Sequence, residues 1–341
     1  MRGRRASSTR QKAALRATVI AAAAALDAVA GEPADRFHAV SWLGRMIGAL
    51  ERRRPIGDPT RETVYGVGMT TAVVATAGIA GLGVQRSLER LPLALHVPLT
   101  VLALQPAFAL RGLVEAGQTV RDALDRDRDE ARAELLALVS RDRELDEPHI
   151  VSAAVESLAE NITDSVTSPL LAYALGGLPG AYAYRAVNTL DAMVGYRGEY
   201  EYVGKAAARL DDVANYVPAR LTGLLLCLVA AIEGRGGAAL HWLRRARHAS
   251  ASPNKMWTIA PMAGLLGVQV EKPGTYRVGP AEKLPTPEAI DHAVTVTWRT
   301  GALAAAIAAL VGLARARLRF RRGPGSSGSG RAGSSNAEAA A

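Results

Sequence analysis

Four groups of polar side chains flank uncharged stretches of this chain, and their spacing is the first clue to chemistry. In VESLAENITDS, Glu156, Glu160 and Asp164 recur every fourth position, with Asn161 beside them. On a helix that spacing puts three carboxylates on one face, where they repel by a few tenths of a kcal/mol per pair. A divalent cation or an arginine reverses the sign, and Mg²⁺ takes carboxylates while keeping water and substrate phosphates as its other ligands. A solvated acidic face gives the same pattern. In YRAVNTLDAMVGYR, Arg185, Asn188 and Asp191 share a second face, followed by Arg197. Arginine offers a rigid fork for phosphate or carboxylate, although an internal Arg185–Asp191 pairing accounts for the spacing too. RLDDVANYVPAR carries Asp211, Asp212, Asn215 and Arg220. Pro218 reads as the start of a following helix, whose N-terminal end favours anions; helix capping plus a surface ion pair is the alternative. The last group, SPNKMW with Asn254 and Trp257, is the weakest signal.

Several chemistries are excluded. No phosphate-binding G-x-x-x-x-G-K-[ST] loop is present; Gly204-Lys205-Ala206 lacks both the hydroxyl and the upstream glycine. There is no dinucleotide G-x-G-x-x-G after a strand and no G-x-S-x-G nucleophile elbow. The six histidines show no zinc spacing, and only His38, beside Trp42, lies near a motif. One cysteine, Cys227 in an apolar run, rules out a disulfide framework and a Cys-ligated cluster. Of 41 basic and 32 acidic residues, twelve basic and one acidic lie within 1–16 and 315–341, leaving 29 against 31 in the body. A body without surplus positive charge has no stripe for nucleic acid, whereas basic ends suit anionic lipid headgroups or the cytoplasmic membrane face.

The elements that must position these groups follow from hydropathy. Residues 63–85, 91–110 and 165–184 are free of charge. The first is long enough to cross ~30 Å of hydrocarbon, and its glycines and alanines allow close helix approach in lipid. Pro92, Pro98 and Pro106 predict kinks in the second. The third contains Gly176-Gly177-Leu178-Pro179-Gly180, which predicts a re-entrant helical hairpin with arms ending near Leu175 and starting near Pro179. A hairpin returns the chain to the side it left, so residues 156–164 and 185–197 face each other. Residues 111–149, dense in alternating charge with Leu124, Leu135, Leu136, Leu138 and Val139 as a partial stripe, predict one charged helix outside the lipid. Residues 268–279 read as an extended segment turning at Pro273-Gly274. The fold class is therefore all-α: an integral membrane helical bundle with a re-entrant hairpin, a charged extramembrane helix and that small extended segment. A basic tail over 1–12, a single membrane-embedded domain over 13–318 and a disordered tail over 319–341 complete the organisation. Residues 13–29 read as a retained first helix rather than a cleaved signal, since Asp27 breaks the run. Basic residues at the amino terminus and at 52–54 both claim the cytoplasmic side, so charge bias leaves the topology open.

Together these segments resemble the CobD/CbiB family, the membrane-associated adenosylcobinamide-phosphate synthases. The resemblance runs from about Leu26 to about Gly279 through LDAVAGEPADRFHAVSWLGRMI, ESLAENITDSVTSPLLAYALGGLPGAYAYRAVNTLDAMVGYR, RLDDVANYVPARL and SPNKMWTIAPMAGLLGV. Glu32, Ala39 and Lys255-Met256-Trp257-Thr258 depart from the family pattern, the last where Ala-Gly-Trp-Pro is usual. The resemblance implies a ligase of cobalamin biosynthesis. It would form an amide between a propionate of adenosylcobyric acid and (R)-1-amino-2-propanol or its O-phosphate, with ATP activation through an acyl phosphate. It also implies a multi-pass protein of the cell (inner) membrane, with the corrinoid, the amine and the lipid bilayer as partners, other cobalamin-assembly enzymes as further ones, and no nucleic acid. In that setting Glu160, Asp164 and Asp191 are expected to bind Mg²⁺ or act as base. Arg185 and Arg197 would hold phosphate or carboxylate. Asn161, Asn188 and Asn254, with Asp212, Asn215 and Arg220, would bind substrate. A membrane prenyltransferase, suggested by Asp211-Asp212-Val213-Ala214-Asn215, and a transport or scaffold subunit are the alternative readings.

Overall fold

The computed structural model describes residues 2–31, 39–136, 145–280 and 284–321, and side chains within them except at 2–13, 39–40 and 316–321. Leu138, Val139, His38 and Glu32 lie outside the described residues, as does all but the start of the expected tail. The first basic residues continue a long helix, α1 (Arg2–Ala30). It packs along α14 (Glu288–Arg321), which closes the chain and includes the first three residues assigned to the tail. Between them run α2 (Ala39–Glu51), α3 (Pro59–Leu88) and α4 (Leu93–Leu104). Then come α5 (Arg111–Leu124), α6 (Arg128–Leu135), α7 (Glu147–Ile162), α8 (Ser168–Gly176) and α9 (Leu178–Val194). The order ends with α10 (Lys205–Ala214), α11 (Tyr216–Ile232), α12 (Gly236–Ala246) and α13 (Met256–Leu266), ahead of a two-stranded antiparallel hairpin, β1 (Val270–Lys272) with β2 (Tyr276–Val278).

Two helices among the described residues are long and apolar enough to cross a membrane: α3 and residues 288–315 of α14. The number rises to four if α4 with its 3₁₀ extension and α5, bent by 41°, and α10 with α11, bent by 48°, each count as one span. The outer face of α3 leaves Val64 67% and Ile79 69% exposed. An apolar face so open to the surroundings fits lipid rather than water.

The start of α3 is set by Asp58, whose carboxylate accepts from the Thr60 and Arg61 amides at 3.0 and 3.1 Å, with Pro59 in the first turn. The expected charged helix is two helices. After α5 ends, Asp127 caps a new start by accepting from the Asp129 and Glu130 amides, both at 3.1 Å. A side chain that holds two amides of the next turn favours a fresh helix over continuation. These helices are not merely solvated: Leu113, Val114, Val120, Ala123, Ala131 and Leu135 lie in the same core as α7 and α13. Asp27, the residue that interrupts the first apolar run, is fully buried. Its Oδ2 accepts from the Leu110 and Arg111 amides at 3.2 and 3.0 Å, capping α5 from α1.

The turn in the 165–184 run sits where glycine permits it. Gly177 takes φ 73°, ψ −159°, a region open to glycine alone. α8 and α9 pack against each other on either side of it. Their tip is held by α3: Gln85 Oε1 accepts from the Leu178 amide at 3.2 Å, and Gly81 lies so close that a Cβ there would fall 2.8 Å from the Leu178 carbonyl oxygen. Arg16 of α1 donates to the Ala174 and Leu175 carbonyls at the end of α8, at 3.0 and 3.3 Å. Two elements, α3 and α1, thus fix the bend. The extended excursion is the β1–β2 hairpin, turning through Pro273 and Gly274 and tied to α7 by Ser152, which donates to the Glu271 carbonyl at 2.9 Å.

Candidate functional site

α7 does not run straight into α8. Residues Thr163–Thr167 form a π-turn, the widened helical turn that leaves carbonyls free for other partners and recurs at functional sites. Asp164 lies on it, thirteen positions before Gly177, and Asp191 lies fourteen after it. At ~1.5 Å of rise per residue, two antiparallel arms bring such positions level. The arms touch where the Tyr184 hydroxyl of α9 lies 3.3 Å from the Asp164 carbonyl oxygen.

The same hydroxyl donates to Asn215 Oδ1 at 2.9 Å, and that oxygen also accepts from Ser168 Oγ at 2.6 Å. Asn215 is buried at the junction of α10 and α11, and its Nδ2 donates to Asp211 Oδ2 at 3.0 Å. Deeper still, Thr222 of α11 donates to Thr167 Oγ1 at 2.9 Å. A buried amide satisfied on several sides fixes its neighbours, because leaving any of these groups unpaired costs about 1–3 kcal/mol. This network locks the π-turn, α9, α10 and α11 together. On the outer side, Asn254 Nδ2 donates to the Asp212 carbonyl at 2.8 Å, while Asn254 Oδ1 accepts from Arg220 Nη1 at 2.7 Å. The Arg220 guanidinium stacks on Tyr216, 3.5 Å from the ring centroid, and lies 4.9 Å from that of Trp257.

Lys255 completes the cluster, its Nζ 2.9 Å from Glu160 Oε1. The Glu160 charge holds the ammonium above its ordinary titration range against the opposing effect of burial. Although part of Asp164 reaches the surface, the surrounding protein strips most of its water. Burial therefore pushes its carboxyl well above the usual carboxylate value, with Asp211 and Glu160 adding and Lys255 pulling back. Burial also raises Asp191, Lys255 opposing and Asp212 and Glu160 adding. One cation thus serves several acids, and burial moves Asp164 and Asp191 upward in titration while Lys255 pulls both back.

The structure brings Glu160, Asp164, Asp191, Asp212, Asn215 and, through Asn254, Arg220 into this region. Arg185 borders it on α9, with Nη1 donating to Asn188 Oδ1 at 3.4 Å. Asn161 turns back on its own helix, donating to the Ser157 carbonyl and Oγ at 3.0 and 2.9 Å. Arg197 lies exposed in the turn after α9. Glu160, Asp164 and Asp191 do not make a metal-holding group: among the described residues no three His, Cys, Asp or Glu side chains are placed to hold one ion. The residues do not fit a resident Mg²⁺ as expected, and Lys255 supplies positive charge instead. Sequence reasoning missed Lys255, Tyr184, Ser168 and Ser252, whose hydroxyl donates to Asp212 Oδ1 at 3.4 Å. Tyr184 carries a usable signal, since 184, 188 and 191 share a helical face. Nothing near Lys255 announces its partner ninety-five positions earlier.

Comparison with known proteins gives one family. Residues 20–309 match the family model described as CobD/Cbib protein. The cobalamin biosynthesis protein CobD of Dehalococcoides mccartyi is 37% identical over 282 residues, covering 82% of this chain and 91% of that protein. Proteins named as probable cobalamin biosynthesis protein CobD are similar in Methanothermobacter thermautotrophicus, at 40% identity over 80% of this chain and 91% of theirs. The one in Pyrococcus abyssi is 42% identical, over 79% and 87%. No solved structure matches.

Proposed function

The chain belongs to the CobD/CbiB family of cobalamin biosynthesis proteins, and on that premise we propose that it is the ligase joining an aminopropanol to a corrinoid carboxylate. The substrates are adenosylcobyric acid, through one propionate, and (R)-1-amino-2-propanol or its O-phosphate. A carboxylate and an amine do not condense unaided. In this reading a propionate oxygen attacks the terminal phosphorus of ATP, ADP leaves, and an acyl phosphate forms. The amine nitrogen then attacks the acyl carbon, phosphate departs, and the nitrogen gives up its proton. ATP is a substrate here, and no step is assigned to a resident metal.

The observation that supports this reading is the convergence of Glu160 and Asp164, before the bend, with Asp191, after it, around the Lys255 ammonium. Asp191 and Asp164, whose carboxyls titrate above their ordinary range, are placed in the proposal as general bases for the amine proton. Arg185 holds phosphate oxygens as charge develops, the contribution that is usually largest in such reactions. Asn188, Asn215 and Asn254, with Asp212 and Arg220, line the corrinoid or aminopropanol side; Asn161 and Arg197 belong to its rim. The protein is further proposed to be multi-pass in the cell membrane, with α8–α9 re-entering the lipid and the pocket at the lipid boundary. Docking of other cobalamin-assembly enzymes would fall on α5–α6.

The test is mass spectrometry of corrinoids after purified protein in nanodiscs meets adenosylcobyric acid, ATP–Mg²⁺ and either form of the amine. A product heavier by the amine less one water, formed only with ATP, is the expected result. Unchanged corrinoid with both amines would sink the ligase reading. Corrinoid flux across vesicles without covalent change would favour a transport subunit.

A further inference from the structure

We propose that the Lys255 ammonium is the resident cation of this pocket, occupying the role a divalent metal would otherwise have between Glu160 and the neighbouring aspartates. The inference deepens the ligase reading and rests on its pocket, but it concerns what balances the acids rather than what they react with. Glu160 on α7, Asp164 on the π-turn, Asp191 on α9 and Asp212 on α10 come from four separate elements, and Lys255 opposes the mutual repulsion of all four. Its Nζ is within ion-pair distance of Glu160 Oε1, at 2.9 Å. Among the described residues no three acids close to metal-holding geometry, as they would around a resident divalent ion.

Lys255 is placed by built structure. Asn254, the preceding residue, is buried and held on both sides by Asp212 and Arg220. The following helix, α13, begins at Met256, which is fully buried. The lysine is therefore anchored at both flanks and extends from a fixed point towards α7. A tethered cation differs from a metal in one testable respect: it cannot exchange with solution. With Lys255 in place the acids have no vacancy for Mg²⁺. With the charge removed they should recruit one, since the uncompensated carboxylates regain their affinity for hard cations. Lys255 is thus a positioning residue that holds the Glu160 carboxylate in place through their ion pair.

The experiment is titration of nanodisc-embedded protein with Mn²⁺ alone, without nucleotide or corrinoid, read by loss of the free-ion electron paramagnetic resonance signal. Wild type and Lys255→Arg should bind only weakly. Lys255→Met should bind one ion per chain at least about tenfold more tightly, the expected effect of removing one nearby positive charge. Lys255→Met with Glu160→Gln should lose that gain. Wild-type binding of one Mn²⁺ that Glu160→Gln abolishes overturns the proposal. So does folded Lys255→Met that binds no better than wild type. If Lys255→Met does not fold, the comparison of wild type with Glu160→Gln still decides. Because the assay contains no reactants, failure of the ligase reading leaves its outcome unaffected, and a negative Mn²⁺ result leaves condensation intact.

Discussion

At the scale of single residues the site is a problem in carboxylate chemistry. Asp164 and Asp191 both titrate higher in the folded protein than their ordinary value, burial being the leading cause. The folded state therefore keeps protons that the unfolded chain releases as pH rises between the two values. The stability tied to those protons is present at acid pH and is lost as pH climbs through that window. Asn does not ionise, so Asp164→Asn should escape part of the loss. Thermal unfolding in detergent should show the variant gaining on wild type as pH increases; an offset that is constant with pH contradicts the assignment. Much of this was legible beforehand. The every-fourth-residue spacing of Glu156, Glu160 and Asp164 and the 185–188–191 face pointed to acids that the fold does bring near one another, Glu160, Asp164 and Asp191. Lys255 escaped notice because an ion pair between distant segments leaves no local spacing. Asn161 shows a local effect that spacing does not reveal: a short amide on a helix can bond back to its own preceding turn, and this one does.

At the scale of elements, the bend at Gly177 organises the site. The Gly-Gly-Leu-Pro-Gly run announced a turn, and the structure turns there, one residue after α8 and one before α9. What the sequence did not announce is its scaffold: Gln85, Gly81 and Arg16 arrive from helices 92–161 positions away. Gly177→Ala forces a side chain into a glycine-only region, worth about 1–3 kcal/mol, with its Cβ 2.2 Å from Gln85 Oε1. The variant should unfold at a clearly lower temperature than wild type, and by more than Gln85→Ala, which loses only the hydrogen bond. Unfolding at the wild-type temperature would show that the bend carries no constraint. The single charged helix over 111–149 was misjudged for a physical reason: alternating charge disguised both a capping aspartate at 127 and a stripe buried in the core. The π-turn was invisible too, because a register change of one residue has no compositional mark.

At the scale of the whole molecule, the chain places two apolar helices, α3 and α14, beside a bundle whose polar groups gather where α7, α9, α10 and the 252–255 segment meet. Hydropathy made the α3 span legible, since 23 uncharged residues leave few other fates. It left the number of crossings open, because kinked pairs such as α4–α5 and α10–α11 satisfy length and composition only when joined. In the proposed ligase reading function hangs on one relation: Asp164 and Asp191, on opposite sides of the Gly177 bend and close enough for the Asp191 charge to act on Asp164, work in one site. Residues acting as a unit are non-additive, whereas independent sites contribute losses that multiply. The most direct measurement is the rate of amide formation, read from the corrinoid product by mass, for Asp164→Asn, Asp191→Asn and the double variant in nanodiscs. The account predicts that each single change lowers the rate by about a hundredfold or more and that the double falls little below the worse single. Near-normal turnover in either single variant, or losses that multiply in the double, would contradict it.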